Sequence, residues 1–358
     1  MSRGRISKVC LLALSGLLAG CAGLEETEET EQVDTEQIES GSITTSSTCF
    51  SVQVPGSYTI KGTLVSPSSF SRAVLLVHGA AGSRDAMLGP AFYLAARGYG
   101  VFVIDRLGYG QSPYVGSGFE LSLDTHVEAT HQILQKIRAG AYRCDGGAGI
   151  AASSVFLGGQ SLSAAIVEVY ATRHNDVDGI ISTGYSTFGP GQALLQQFGA
   201  HILPQINAGA DYFTLFAYPN GVSPECVAGM FYAPGASSTI YNAICSQNAP
   251  GTVIDGLTPS GDTLSSLGSG AEIQANTGNV DAPILFVQAD RDAFAPGAGG
   301  GPSGTEPNTQ ALEADHWRNT CNCEVSVTTR GTSAGHLWQF HYQALGLLDE
   351  VADWLDSN

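Results

Sequence analysis

Basic charge is scarce in this chain. Fifteen Lys and Arg stand against 33 Asp and Glu in 358 residues, a formal net charge of −18. Recognition of a phosphate backbone needs clustered cations, and no basic stripe occurs, so nucleic acid is excluded as a partner. Charges of both signs are few, 13% of residues against roughly 25% in an average soluble domain. Glycine is instead plentiful at 45 residues, a composition that suits a loop-rich exported protein. The apolar run at residues 9–20, VCLLALSGLLAG, is too short to span a bilayer comfortably. The glycine run GAGGGPSG at 297–304 is followed by no Gly-Lys-Ser or Gly-Lys-Thr, which removes a phosphate loop. Cys321, Cys323 and His316 have no zinc-site spacing, so no metal and no cofactor is expected.

What the N-terminus does contain is an export signal. Arg3, Arg5 and Lys8 precede the apolar run, which ends in LAGC at Leu18–Cys21. This resembles the lipobox of bacterial lipoproteins. The resemblance implies lipidation of Cys21, removal of residues 1–20, and a membrane held through acyl chains, with Ala22 favouring the outer membrane or cell surface. The alternative is an ordinary secretory signal. Residues 25–40 then carry eight acids and no base, so 21–47 reads as a solvated acidic tether. After removal of Cys10 with the signal and use of Cys21 for lipid, six cysteines remain, an even set fit for an oxidising compartment. Cys226 with Cys245 is the preferred bridge because they bracket one loop-rich segment, and Cys49 with Cys144 is the second choice.

From residue 48 the chain alternates. CFSVQV and YTIKGTLVS suggest an opening hairpin, and SRAVLLVHG a buried strand. Helices are expected over about 84–97, 123–139, from Ser161 through about 173, over 309–319, and finally over about 336–356. Between them lie GYGVFVID, SSVFLGG, VDGIIST, APILFVQAD and EVSVTT as strands. Such alternation means a largely parallel sheet covered on both faces. Residues 187–279 break the rhythm and read as an inserted lid. Its Phe198, Tyr212, Phe213, Phe216, Tyr218, Phe231, Tyr232 and Tyr241 could line an acyl pocket or simply form the lid's own core.

A serine hydroxyl becomes a nucleophile only with a base, a group that orients the base, and donors for the oxyanion. In LGGQSLS, Ser161 directly follows a strand and precedes a helix, with small Gly159 two residues earlier. A plain helix N-cap is the competing role for Ser161. His78-Gly79 ends an earlier core strand, so the amides of Ala80 and Leu162 are the candidate oxyanion donors. His78 itself reads as structural. Asp290 and Asp292 end a later strand, and one of them should hold the base, His336, which follows the last strand. His341, five residues on, is expected to pack or face solvent.

The order Ser161, Asp292, His336, the His78-Gly79 turn, IDRLGYGQSP at 104–113 and DGIISTGYS together resemble the α/β-hydrolase superfamily over roughly 50–186 and 280–356. The resemblance implies a doubly wound, mostly parallel eight-stranded α/β sheet with a lid, a Ser-His-Asp triad and no metal. Its implied substrate is a small-molecule ester or related acyl compound. It favours Asp292 over Asp290, because the acid often precedes a loop proline, here Pro296, by three or four residues. Two positions depart from the pattern: Gln160 where histidine is common, which should alter packing behind the nucleophile, and Ser163 where glycine is usual, which adds bulk at the elbow. A catalytically inactive binding protein, or an amidase, lactonase or carbon–carbon hydrolase, would use the same body.

Overall fold

The computed structural model describes residues 42–54, 56–80, 82–116, 120–188, 203–209, 224–245, 269–297, 300–301, 303–305, 307–330 and 333–358. Cys21, the signal segment and most of the expected tether lie outside these residues. Among them no helix is long and apolar enough to cross a membrane.

Eight strands form one sheet: β1 (Thr44–Gln53), β2 (Ser57–Ser66), β3 (Arg72–Val77), β4 (Gly100–Ile104), β5 (Ser154–Gln160), β6 (Gly179–Thr183), β7 (Ile284–Val287) and β8 (Val325–Val327). The spatial order is β1-β2-β4-β3-β5-β6-β7-β8. The β1–β2 hairpin pairs antiparallel and joins β4 antiparallel, whereas every pairing from β4 to β8 is parallel. Strand pairing begins at Thr44 opposite Ser66, so residues 44–47 of the stretch assigned to the tether belong to the sheet. The central strands β4, β6 and β7 are buried at every position. That is why they read as unbroken apolar runs without alternation, as expected where helices cover both faces.

Helices α1 (Leu88–Ala96), α2 (Leu123–Ala139), α3 (Leu162–His174), α4 (Leu203–Asn207), α5 (Pro224–Met230), α6 (Ser238–Cys245), α7 (Ser269–Asn276), α8 (Thr309–Thr320) and α9 (Ala344–Ser357) follow in chain order. One core, with Phe50, Phe102, Ile133, Val167 and Trp317, fills one face of the sheet. A second, with Leu94, Val101, Phe156, Trp338 and Leu348, fills the other. Helix α2 shows how local sequence sets its ends. Ser122 caps it by accepting from the Thr125 amide, and Gly140 closes it at φ 67°. The doubly wound α/β architecture matches the sequence reading.

The last helix departs from it. Residues 336–343 form a 3-10 turn at Trp338–Phe340 and irregular backbone, and α9 starts only at Ala344. The reason is hydrogen bonding across the fold: the Tyr342 amide donates to Gly235 O and is unavailable to a helical ladder, while the Leu337 amide holds this stretch to Met230 O. Disulfides join Cys226–Cys245 and Cys49–Cys144, as expected, and also Cys321–Cys323.

Candidate active site

Ser161 sits where β5 turns into α3. Its backbone has φ 58° and ψ −127°, a region L-residues avoid and one that costs on the order of 1–3 kcal/mol. The turn is pinned by Ser161 N–H donating to Thr183 O at 2.7 Å and Ala164 N–H donating to Ser161 O at 2.8 Å. Although Ser161 occupies the N-cap position, its side chain makes no capping bond, so the capping role is not realised. Gly159 is required by close approach: a Cβ there would lie 2.1 Å from Ser163 O.

Ser163 is fully buried, and its hydroxyl donates to His78 O at 2.5 Å. The extra atoms at the glycine position are therefore a tie between α3 and the loop after β3. We expect Ser163→Ala to lose about 1 kcal/mol of unfolding free energy and Ser163→Gly somewhat more, both keeping turnover. Ser163→Phe should overpack the elbow and abolish it. Denaturant melts alongside an ester assay check this, and an active, folded Ser163→Phe would show that the elbow lies elsewhere.

His336 lies in the loop after β8 and is 2% exposed; Asp292, in the loop after β7, is wholly buried. His336 Nδ1 donates to Asp292, 2.9 Å from Oδ2 and 3.1 Å from Oδ1. Asp292 Oδ1 also accepts from the amides of Phe294 (2.7 Å) and Ala295 (3.0 Å), which fixes the carboxylate. Asp292, not Asp290, thus meets the histidine. With Nδ1 committed, Nε2 is the nitrogen left for proton exchange. Gly184, at φ 69°, lets the chain after β6 pass the pair, since a Cβ would come 3.1 Å from His336 Cε1 and 3.4 Å from Asp292 Oδ2. Buried Glu313 on α8 anchors this stretch by accepting from Thr187 N–H and Thr187 Oγ1. Burial pushes the Glu313 carboxyl up.

Gln160 joins the two halves. Its Nε2 donates to His336 O (3.3 Å), and its Oε1 accepts from Gly79 N–H (3.2 Å). The residue beside Ser161 therefore braces both the histidine loop and the start of the Ala80 loop, a role that a reading of Gln160 as altered packing did not reveal. Gly79 must be glycine, because a Cβ would fall 2.7 Å from Ser161 Cβ.

The Ala80 loop is held from behind by Arg106, which the sequence reading passed over inside IDRLGYGQSP. Arg106 Nε donates to His78 O and Nη2 to Gly79 O, both at 3.1 Å. His78 Nδ1 also donates to Gly79 O (2.8 Å), while its Nε2 accepts from Arg106 N–H (3.2 Å). Burial, and then the Arg106 charge, hold the His78 pKa well below its ordinary value. His78 is accordingly a neutral structural residue. In a trans peptide N–H and C=O point opposite ways. With Gly79 C=O turned to Arg106 and His78, the Ala80 N–H faces away from them. Leu162 is the first residue of α3, where amides lack helical acceptors. Among the described residues no cluster of three or more metal-ligating side chains occurs.

An eight-stranded sheet of this order, with a strained strand-to-helix serine and a buried Asp–His pair on neighbouring strand ends, defines the α/β-hydrolase class. Within that class the family model described as serine aminopeptidase, S33 (Hydrolase_4) matches residues 68–301, and the chain belongs to this family. No curated protein matches it. Among solved structures it is similar to a bromoperoxidase from Bacillus anthracis, with TM-score 0.59 and 17% identity over 87% of this chain and 100% of that one. A serine hydrolase from Cycloclasticus zankles gives TM-score 0.55 and 14% identity over 87% and 98%. The monoacylglycerol lipase of Paleococcus ferrophilus gives 0.52 and 15% over 88% and 98%. At these identities the likeness establishes the fold.

Proposed function

We propose that the protein is a serine hydrolase that cleaves a small-molecule carboxylic ester or related acyl bond through Ser161, His336 and Asp292. One observation carries this reading: Ser161 is held in a strained backbone with no capping bond, while its neighbour Gln160 bonds the loop in which His336 meets buried Asp292. In the proposed reaction His336 Nε2 takes the Ser161 proton as Oγ attacks the acyl carbon. The Ala80 and Leu162 amides receive the oxyanion, and Asp292 stabilises the imidazolium. His336 then gives the proton to the leaving alkoxide. Water, deprotonated by the same nitrogen, then attacks the acyl carbon; the bond from that carbon to Oγ breaks, the acid leaves, and His336 returns the proton to Oγ, restoring Ser161. No metal or cofactor enters these steps.

We also propose export and anchoring through lipidated Cys21. The three disulfides support an oxidising compartment. The acidic segment behind Cys21 would keep the body clear of anionic lipid.

A fluorophosphonate probe, with mass analysis of the labelled peptide, tests the nucleophile. A chain-length series of p-nitrophenyl esters, beside aminoacyl anilides, tests the bond cleaved. We expect labelling at Ser161 and faster turnover of esters. Anilide turnover exceeding ester turnover would move the reading to an amidase. A folded chain that neither labels nor hydrolyses any of these compounds would make the body a binding protein.

A further inference from the structure

His341 does not face solvent. It is 3% exposed, and its ring lies between the His336 loop and the segment between α5 and α6. Nε2 accepts twice, from Gly335 N–H at 3.0 Å and from Tyr232 N–H at 3.1 Å. Nδ1 donates to Leu337 O at 2.9 Å. Gly335 and Leu337 are the two residues that flank His336. Tyr232 belongs to the insertion between β6 and β7. A single imidazole therefore ties both neighbours of His336 to one another and to the inserted segment.

The backbone repeats the connection. Leu337 N–H donates to Met230 O and Tyr342 N–H to Gly235 O, each at 2.9 Å, and Ala236 bridges His341. The Phe231 ring stacks on His341, centroids 5.7 Å apart. The approach is too close for side chains: a Cβ on Gly335 would lie 2.6 Å from Tyr232 N, and one on Gly235 1.9 Å from Ser333 O. Two acceptor bonds at Nε2 require the neutral ring, and burial pushes its pKa down to about 4. On the other side, α5 and α6 are joined by Cys226–Cys245, so residues 226–245 form a closed unit seated on the histidine loop.

We propose that His341 is a positioning residue, which sets the placement of His336 through Gly335 and Leu337 and makes it depend on the seating of the disulfide-closed segment 226–245. The proposal rests on His336 being the base of the hydrolase. A misplacement of about 1 Å in a catalytic group costs on the order of 10² in rate, which is the scale at which this clamp acts.

The test uses the full chain with three changes: His341→Phe, which keeps a ring for Phe231 but loses both nitrogens; His341→Gln, whose amide oxygen can take the place of Nε2; and Cys226→Ser with Cys245→Ser. For a short-chain p-nitrophenyl ester we expect His341→Phe to lower kcat by on the order of 10² with KM nearly unchanged, and His341→Gln to recover most of that loss. The double serine variant should lower kcat by about tenfold. The downfield proton resonance of His336 Nδ1–H on Asp292 should broaden or shift in His341→Phe and in the double serine variant, and return in His341→Gln. Wild-type kcat and resonance in a folded His341→Phe would overturn the proposal, as would equal losses in the Phe and Gln variants. If His341→Phe does not fold, the proposal stands on the double serine variant and falls if that variant matches wild type in kcat and resonance. Should wild type hydrolyse no ester, the hydrolase reading fails, and the resonance alone decides whether His341 positions His336.

Discussion

Ser161→Ala should reduce ester turnover by on the order of 10⁶, to the residue of catalysis left by binding and the oxyanion donors. The loss is large because the proposed base acts through that hydroxyl: with Oγ gone, His336 has no serine proton to take, and only direct attack by water is left for the proposed oxyanion donors to assist. A second variant separates chemistry from architecture. At φ 58° and ψ −127° any Cβ is strained, and glycine has none. Ser161→Gly should therefore be as inactive as Ser161→Ala yet more stable than wild type by on the order of 1 kcal/mol. Strain kept at a position where glycine would relieve it is what a functional hydroxyl requires. Ester hydrolysis rates and denaturant melts measure the two effects. Ester turnover near wild type in Ser161→Ala would end the assignment. A Ser161→Gly protein no more stable than Ser161→Ala would mean that the elbow carries no strain to relieve.

The parts of the site visible in the sequence are those fixed by strand ends. Ser161 and Asp292 each follow an apolar run of the kind a buried parallel strand produces, whereas His336 lies nine residues beyond β8, a short half-buried VSV; strand–helix alternation put all three after strands of one sheet. Hydrophobic periodicity has no comparable signal for residues that act through long-range backbone bonds. Residues 336–343 have helix-like spacing, yet the Leu337 and Tyr342 amides bond to Met230 and Gly235, and His341, read as a packing or solvent-facing residue, takes two further amides. Ser163 and Gln160 were visible only as departures from a motif. Their effect, a hydroxyl on His78 O and an amide spanning Gly79 and His336, depends on which carbonyls the fold brings near. Gly184 did leave a trace, a glycine directly after a core strand. Cys321–Cys323 became a pair only once the other four cysteines were joined.

Arg106→Lys is expected to lower kcat by on the order of 10², the cost of losing one well-aimed oxyanion donor, although Arg106 is itself buried behind the Ala80 loop. The guanidinium spans two successive carbonyls, His78 O through Nε and Gly79 O through Nη2. A lysine ammonium is a single point and has no such fork. Once Gly79 C=O is free to rotate, the Ala80 N–H in the same peptide plane turns with it, away from the oxygen it is proposed to receive. The buried charge adds to this, because a cation on the carbonyl end polarises the peptide and makes its N–H a stronger donor. The environment is built to keep that charge the dominant one nearby: burial, with Arg106 itself, holds both His78 and His126 neutral, and the Tyr109 ring lies 4.7 Å from the guanidinium carbon. Loss of packing would weaken substrate and transition state alike, whereas loss of the oxyanion peptide weakens only the tetrahedral state. Inhibition by an alkyl boronic acid, which forms a tetrahedral adduct on the serine, should therefore weaken in proportion to kcat/KM in Arg106→Lys, with KM for the ester little changed. If boronate affinity stays at the wild-type value while kcat falls, Arg106 does not act through the Ala80 amide; if kcat does not fall, it does not act on the reaction.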